Sequence, residues 1–242
     1  MNNINFSRIE IEIFSGCNLM CLNCDRSSRQ APSNELMTLD QIYNFIEESK
    51  DLKWQWERIS LLGGEPTLHP NFFEIIEILN KYRLETSCEI EVVTNGFGDR
   101  VKKIISNIPD WVIIRNSNKT SQIQNFYSYN ISPIDLEEYK YCDFSEGCSI
   151  TTINGLGLTV NGYYSCGAGA SVDRIFNKNI GVKNLKDVDE VSLRNQMKFI
   201  CGICGHYKRN FDDTKISQTM MSDTWKKAYL EYNKHNSLRK LI

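Results

Sequence analysis

Three cysteines, Cys17, Cys21 and Cys24, stand in C-x3-C-x2-C spacing just after the run Arg-Ile-Glu-Ile-Glu-Ile-Phe at 8–14. Isoleucine at every second position predicts a strand, so the loop leaving that strand carries the thiols. A loop of this length can fold three thiolates inward around one iron–sulfur cube. Three cysteines cover three irons of a [4Fe–4S] cluster and leave the fourth open, whereas a cluster used only for electron transfer is normally held by four. An open iron implies that something else binds there.

These residues resemble the radical SAM family, whose hallmark is this loop after the first barrel strand. Gly63-Gly64-Glu65-Pro66, after an expected strand at 58–62, resembles that family's GGE motif, and Thr94-Asn95-Gly96 follows another at 88–93. The resemblance implies that S-adenosylmethionine chelates the open iron through its amino and carboxylate groups. Its reductive cleavage would give methionine and a 5′-deoxyadenosyl radical that abstracts hydrogen from a substrate. The resemblance also implies that the Gly63, Gly64, Glu65 and Pro66 turn approaches the methionine ammonium, and that Thr94 and Asn95 lie near the ribose. The position before the third cysteine is often aromatic in the family and packs near adenine; here it is Asn23, which leaves adenine to backbone and another side chain.

Composition narrows the setting. A net charge of -2 offers no basic surface for nucleic acid or a membrane. No apolar run is long enough to cross a bilayer, and Met1-Asn2-Asn3 does not begin a signal peptide. Nine cysteines without an export signal point to metal rather than disulfides. The expectation is a cytoplasmic metalloprotein.

Strand and helix signals alternate through the first half. Thr38 reads as an N-cap for a helix to about residue 50 with Ile42, Phe45 and Ile46 on one face. Pro70 opens another helix, with Phe73, Ile75, Ile76 and Ile78 on its buried side. A short helix follows at 99–106, a strand at 111–115 and a fifth strand at 129–135. This pattern predicts an α/β fold, a partial (β/α) barrel of about five to six parallel strands over residues 1–135. A Twitch-like module is expected at 136–212, with a hairpin of 150–159 and 163–166 turning at Asn161-Gly162 and a helix at 192–199. A final helix at 221–236, within 213–242 and capped by Ser222, carries Trp225, Ala228, Tyr229 and Tyr232 on one side.

Cys148, Cys166, Cys201 and Cys204 form a second set whose order resembles the Twitch module, a shorter relative of the SPASM domain. That resemblance implies one auxiliary [4Fe–4S] cluster. Four thiolates in two pairs also suit a structural zinc site, and Cys142 is an alternative to Cys148. Cys88, on an apolar strand, reads as a buried thiol. Arg115, at the end of the fourth strand, is the candidate catalytic side chain, placed to hold an anion or assist deprotonation, with an ordinary solvated arginine as the alternative reading. His69 and His206 read as hydrogen-bonded or solvated side chains, and His235 as a surface residue.

The reaction that fits is a two-electron oxidation of a small metabolite such as a sugar or cyclitol, with the auxiliary cluster taking an electron. The first strand begins by residue 8, without the leading extension of peptide-maturing relatives, which favours a small substrate. Peptide or protein modification is the alternative within the same chemistry, and a non-catalytic zinc scaffold the alternative outside it. An external one-electron donor such as flavodoxin or ferredoxin is expected.

Overall fold

The alternation in the first strand decides the layering. In β1 (Arg8–Phe14), Ile9, Ile11 and Ile13 are buried against helices, while Arg8, Glu10 and Glu12 face the other side of the sheet. The computed structural model describes residues 3–123, 129–210 and 221–239, with backbone alone at 208–210 and 236–239. β1 pairs in parallel with β2 (Arg58–Gly63), β2 with β3 (Glu89–Thr94), and β3 with β4 (Ile113–Asn116). Helices α1 (Leu39–Asp51), α2 (Phe72–Thr86) and α3 (Asp99–Ile105) make the crossovers.

Thr38 caps α1 in a closed box. It accepts the Gln41 N–H at 3.2 Å, and its own N–H donates to Gln41 Oε1 at 2.9 Å, worth about 1 kcal/mol. Ile42, Phe45 and Ile46 then meet Ile9, Ile11, Ile59 and Ile75 in one core. α2 begins two residues beyond Pro70, with Asn71 at its N-cap. Phe73 is exposed there, and Phe72 takes the buried place.

The fifth strand lies elsewhere than expected. Residues 129–135 form a turn and a short 3-10 stretch at Pro133–Asp135, since proline there withholds a ladder donor. Instead β5 (Leu156–Thr159) docks in parallel on the free side of β1, setting Leu156 opposite Ile9 and Leu158 opposite Ile11. β6 (Gly162–Tyr164) pairs antiparallel with β5, giving the order β4-β3-β2-β1-β5-β6. The expected hairpin therefore exists but continues the main sheet. Its first part, expected as strand, is the short helix α4 (Ser149–Ile153).

A second core gathers around α5 (Gly167–Phe176), α6 (Glu190–Ile203) and α7 (Asp223–Arg239), with Tyr129, Tyr164, Val172, Ile200 and Trp225 inside. α6 is longer than expected at both ends. Asp189 caps it through Ser192, and it runs on through Cys201, with Cys204 at its C-cap. α7 buries Trp225, Ala228 and Tyr229, while Tyr232, expected on the same side, is half-buried. The Ser222 hydroxyl accepts an N–H from Ser132 at 3.1 Å.

Candidate functional site

The three motif loops leave the C-terminal ends of β1, β2 and β3, where parallel α/β barrels carry their chemistry. Backbone hydrogen bonds fasten the first two together: Gly64 N–H donates to Phe14 O and Glu65 N–H to Gly16 O, each at 2.9 Å. This approach needs the double glycine. A Cβ on Gly63, whose φ is +144°, would lie 2.1 Å from Phe14 O, and one on Gly64 would lie 2.3 Å from Gly16 O.

Glu65 ties in the third loop. It is fully buried. One carboxylate oxygen accepts the Thr67 hydroxyl at 2.7 Å, the Thr94 hydroxyl at 2.8 Å and the Thr67 N–H at 3.2 Å. The other accepts the Asn95 N–H at 2.8 Å. Pro66, also buried, opens the 3-10 turn that follows. Asn95 Nδ2 donates to Asn18 Oδ1 at 2.8 Å and lies 3.7 Å from Cys17 Sγ. Asn18 Nδ2 in turn donates to Phe97 O at 2.7 Å. The Glu65 carboxylate is thus committed to holding Thr94 and Asn95, which leaves main-chain carbonyls of this turn to meet a cation. Asn18, beside the first cysteine, is a contact that spacing arguments passed over.

Cys17, Cys21 and Cys24 are set on this laced frame, half-buried or buried. Burial pushes the Cys17 thiol up to about 12 despite the Leu19 N–H, and neighbouring Cys24, Glu65 and Cys21 add to the rise. Cys24 is pushed up by burial and then by Asp25. Such thiols stay protonated until a metal displaces the protons, so the donor set suits soft, multivalent iron. Asn23 is buried with φ +53°, a left-handed conformation that asparagine tolerates. Its side chain accepts from Asn130, which accepts from the Tyr229 hydroxyl of α7.

The second set also converges. Cys201 is pushed well up by burial, then by Cys166 and Cys148; Cys204 feels burial, then Cys166, Cys148 and Cys201. Of the two candidates for the fourth thiol, Cys148 is the one whose charge bears on Cys166, Cys201 and Cys204. Among the described residues no three histidine, cysteine, aspartate or glutamate side chains close on a single metal-ion position. A zinc site draws its sulfurs to about 2.3 Å from one ion, whereas a [4Fe–4S] cube gives each thiolate its own iron. Four converging thiols are a donor set that a cube accepts, one per iron, and that a zinc ion would also accept.

Residues 11–114 match the Radical SAM superfamily. That segment belongs to the radical SAM superfamily. The family uses S-adenosylmethionine and a [4Fe–4S] cluster. The chain is 30% identical over 96 residues to a probable GTP 3',8-cyclase of Methanococcus aeolicus, covering 40% of this chain and 31% of that one. It is 34% identical over 85 residues to the 7-carboxy-7-deazaguanine synthase of Clostridium acetobutylicum, covering 34% and 35%. The matched segment spans about a third of the length of these curated relatives. The fold as a whole is similar to that of BtrN in its crystal structure with AdoMet and 2-DOIA. The TM-score is 0.51 at 15% identity, over 92% of this chain and 98% of that one. At that identity the likeness is one of fold.

Within the radical SAM frame, the polar face of the sheet is an ionic lattice. Arg115 lies 2.9 Å from Glu91, which also accepts from Ser60 at 2.8 Å, and Arg58 bonds Glu89 at 2.7 Å. Arg115 is thus held in an ion pair partway down the sheet, its side chain still 57% exposed. The cavity among Arg8, Glu10, Arg58, Ser60, Glu91, Arg115 and Asn154 measures about 30 Å³, room for one water and no metabolite. A cleft of about 460 Å³ between α1 and the β5–β6 turn is larger, but no cysteine lines it.

His69 is structural. Its Nδ1 accepts the Asn71 N–H, and its Nε2 lies 3.0 Å from Met37 O. His206 sits 3.4 Å from Asp25 with its ring tilted against Tyr129, and its main-chain N–H reaches Cys204. Cys88 is buried, as its strand setting indicated. Among the described residues no helix is long and apolar enough to cross a membrane.

Proposed function

We propose that this protein is a radical SAM oxidoreductase that removes two electrons from a small metabolite such as a sugar or cyclitol. The observation that carries the reading is the lacing of the Cys17–Cys24 loop to the Gly63–Pro66 and Thr94–Asn95 loops, with a second four-cysteine set, three of its thiols buried and Cys148 half-buried, joined to it through Arg26 and Gly167. Cys17, Cys21 and Cys24 would hold a [4Fe–4S] cluster with one open iron, and Cys148, Cys166, Cys201 and Cys204 an auxiliary [4Fe–4S] cluster. When bound, the first cluster with S-adenosylmethionine supplies hydrogen-atom abstraction, and the auxiliary cluster a one-electron acceptor.

The chain's own residues orient and enclose. The Gly63, Gly64, Glu65 and Pro66 turn offers main-chain carbonyls to the methionine ammonium, held in place by the Glu65 carboxylate. Thr94 and Asn95, fixed by that same carboxylate, shape the ribose side. Oxidation of a secondary alcohol to a ketone releases one hydrogen atom, one electron and one proton. Arg115, paired with Glu91 on the polar face, is the side chain we assign to steer an anionic group through its charge; a guanidinium is no base at ordinary pH, so the proton leaves to another acceptor. An external donor of the flavodoxin or ferredoxin type would reduce the first site. The BtrN structure, with AdoMet and 2-DOIA in one protein of this fold, supports a small ligand beside S-adenosylmethionine.

The test is anaerobic incubation of loaded, reduced protein with S-adenosylmethionine and a panel of sugars, cyclitols and nucleotide-linked compounds. Substrate-dependent 5′-deoxyadenosine with a product two hydrogens lighter supports the proposal. 5′-Deoxyadenosine that forms only with an added peptide would replace it with the peptide-modifying reading.

A further inference from the structure

The two cysteine sets meet at one buried arginine. Arg26 lies two residues beyond Cys24, its side chain 10% exposed. Its main-chain N–H donates to the Cys24 sulfur. Its guanidinium donates to the carbonyl of Gly167, the residue after Cys166, and lies 3.4 Å from Glu10 and 3.9 Å from Glu12. The fit allows no side chain at Gly167, where a Cβ would fall 2.1 Å from Glu10 Oε2 and 2.9 Å from Arg26 Nη2. The clamp is reciprocal. Arg174, on the helix that starts at Gly167, donates to Arg26 O at 3.0 Å and to Ala31 O at 2.7 Å.

A guanidinium cannot lose its proton at ordinary pH. Sheltered from solvent, its field is weakly screened. Adding an electron to a cluster adds negative charge, and cluster potentials respond to nearby charge and to hydrogen bonds around the sulfurs. Asp25 at 3.8 Å and the carboxyls of Glu10 and Glu12 offset this cation in part; burial pushes Glu10 and Glu12 toward their neutral forms, while Asp25 is partly open to solvent.

We propose that Arg26 is a positioning residue shared by both cysteine sets, and that its charge raises the reduction potential of the auxiliary cluster beside Gly167. This rests on the reading of Cys148, Cys166, Cys201 and Cys204 as an iron–sulfur site. Redox titration of the anaerobic holoprotein, followed by EPR with iron and zinc counted in the same samples, tests it on wild type, Arg26→Gln and Arg26→Lys. Arg26→Gln is expected to lower the auxiliary midpoint enough to change its reduced-to-oxidised ratio about tenfold, about 59 mV for one electron, while Arg26→Lys stays near wild type. An unchanged midpoint in a fully iron-loaded Arg26→Gln overturns the inference and leaves the iron–sulfur reading standing. If Arg26→Gln fails to load, Arg26→Lys decides: a midpoint that falls tenfold in ratio overturns the charge argument, and one that holds supports it. Zinc in the second site of wild type overturns the iron–sulfur reading itself, and the inference with it.

Discussion

Replacing Glu65 by alanine strips acceptors from four donors at the meeting point of three loops. The hydroxyls of Thr67 and Thr94 can rotate; the N–H groups of Thr67 and Asn95 cannot, and the site is fully closed to solvent. Each buried donor left unpaired costs about 1–3 kcal/mol, so Glu65→Ala should lose about 3–5 kcal/mol once the small void is included. Glu65→Gln keeps the volume and one acceptor and should lose about 1–3 kcal/mol. Urea unfolding of the reduced, metal-free protein, followed by tryptophan fluorescence, measures both. The lacing through Asn95 and Asn18 also means that iron loading at Cys17, Cys21 and Cys24 should fall in the order wild type, Gln, Ala. A Glu65→Ala protein within about 1 kcal/mol of wild type would refute the reasoning, as would a Gln variant no more stable than the Ala variant.

Gly64→Ala should separate the first two loops, because its Cβ would enter contact distance of Gly16 O and Ser15 O; the expected readout is loss of the first cluster's iron with the second set still loaded. His69 is held neutral by burial, below the ordinary value near 6.5. A depressed folded value means its contribution is present above that pH and is lost as pH falls through the folded value. His69→Gln, which can keep both hydrogen bonds, should therefore show a shallower fall in stability between pH 7 and pH 5, and an equal slope in both proteins would contradict this. Trp225 is fully buried and donates to Ile203 O at 3.0 Å, inside the Cys201–Cys204 turn. Trp225→Ala should cost about 3–5 kcal/mol and lower iron at the second set first, measured by thermal unfolding and metal analysis.

The three motif loops were legible because their chemistry is local. A strand pattern, a cysteine spacing or a double glycine needs no distant partner to be recognised, and α1 announced itself by an N-cap threonine ahead of an apolar face. What was hidden depended on neighbours far along the chain. β5 joins β1 across more than 140 residues, so its four residues read as part of an isolated hairpin. α5 begins Gly-Ala-Gly-Ala-Ser, where two glycines weaken the helix signal and no apolar face shows; the glycines are there because Glu10, Arg26 and Ile200 crowd its first turn. Glu10 and Glu12 looked like the wet side of a strand, since alternation says which side is apolar but not what covers the other. The signal available for Arg26 was a charged residue two positions beyond a cysteine ligand loop.

The central claim is that two iron–sulfur sites lie side by side in one fold. Iron and sulfide content with low-temperature EPR tests it on anaerobic wild type and on the Cys17→Ala, Cys21→Ala, Cys24→Ala triple variant. The account predicts about eight irons falling to about four, with a reduced-cluster signal that S-adenosylmethionine perturbs only in wild type. About four irons in wild type, none in the variant and zinc in both would contradict it, and with it the electron-accepting role of the second cysteine set.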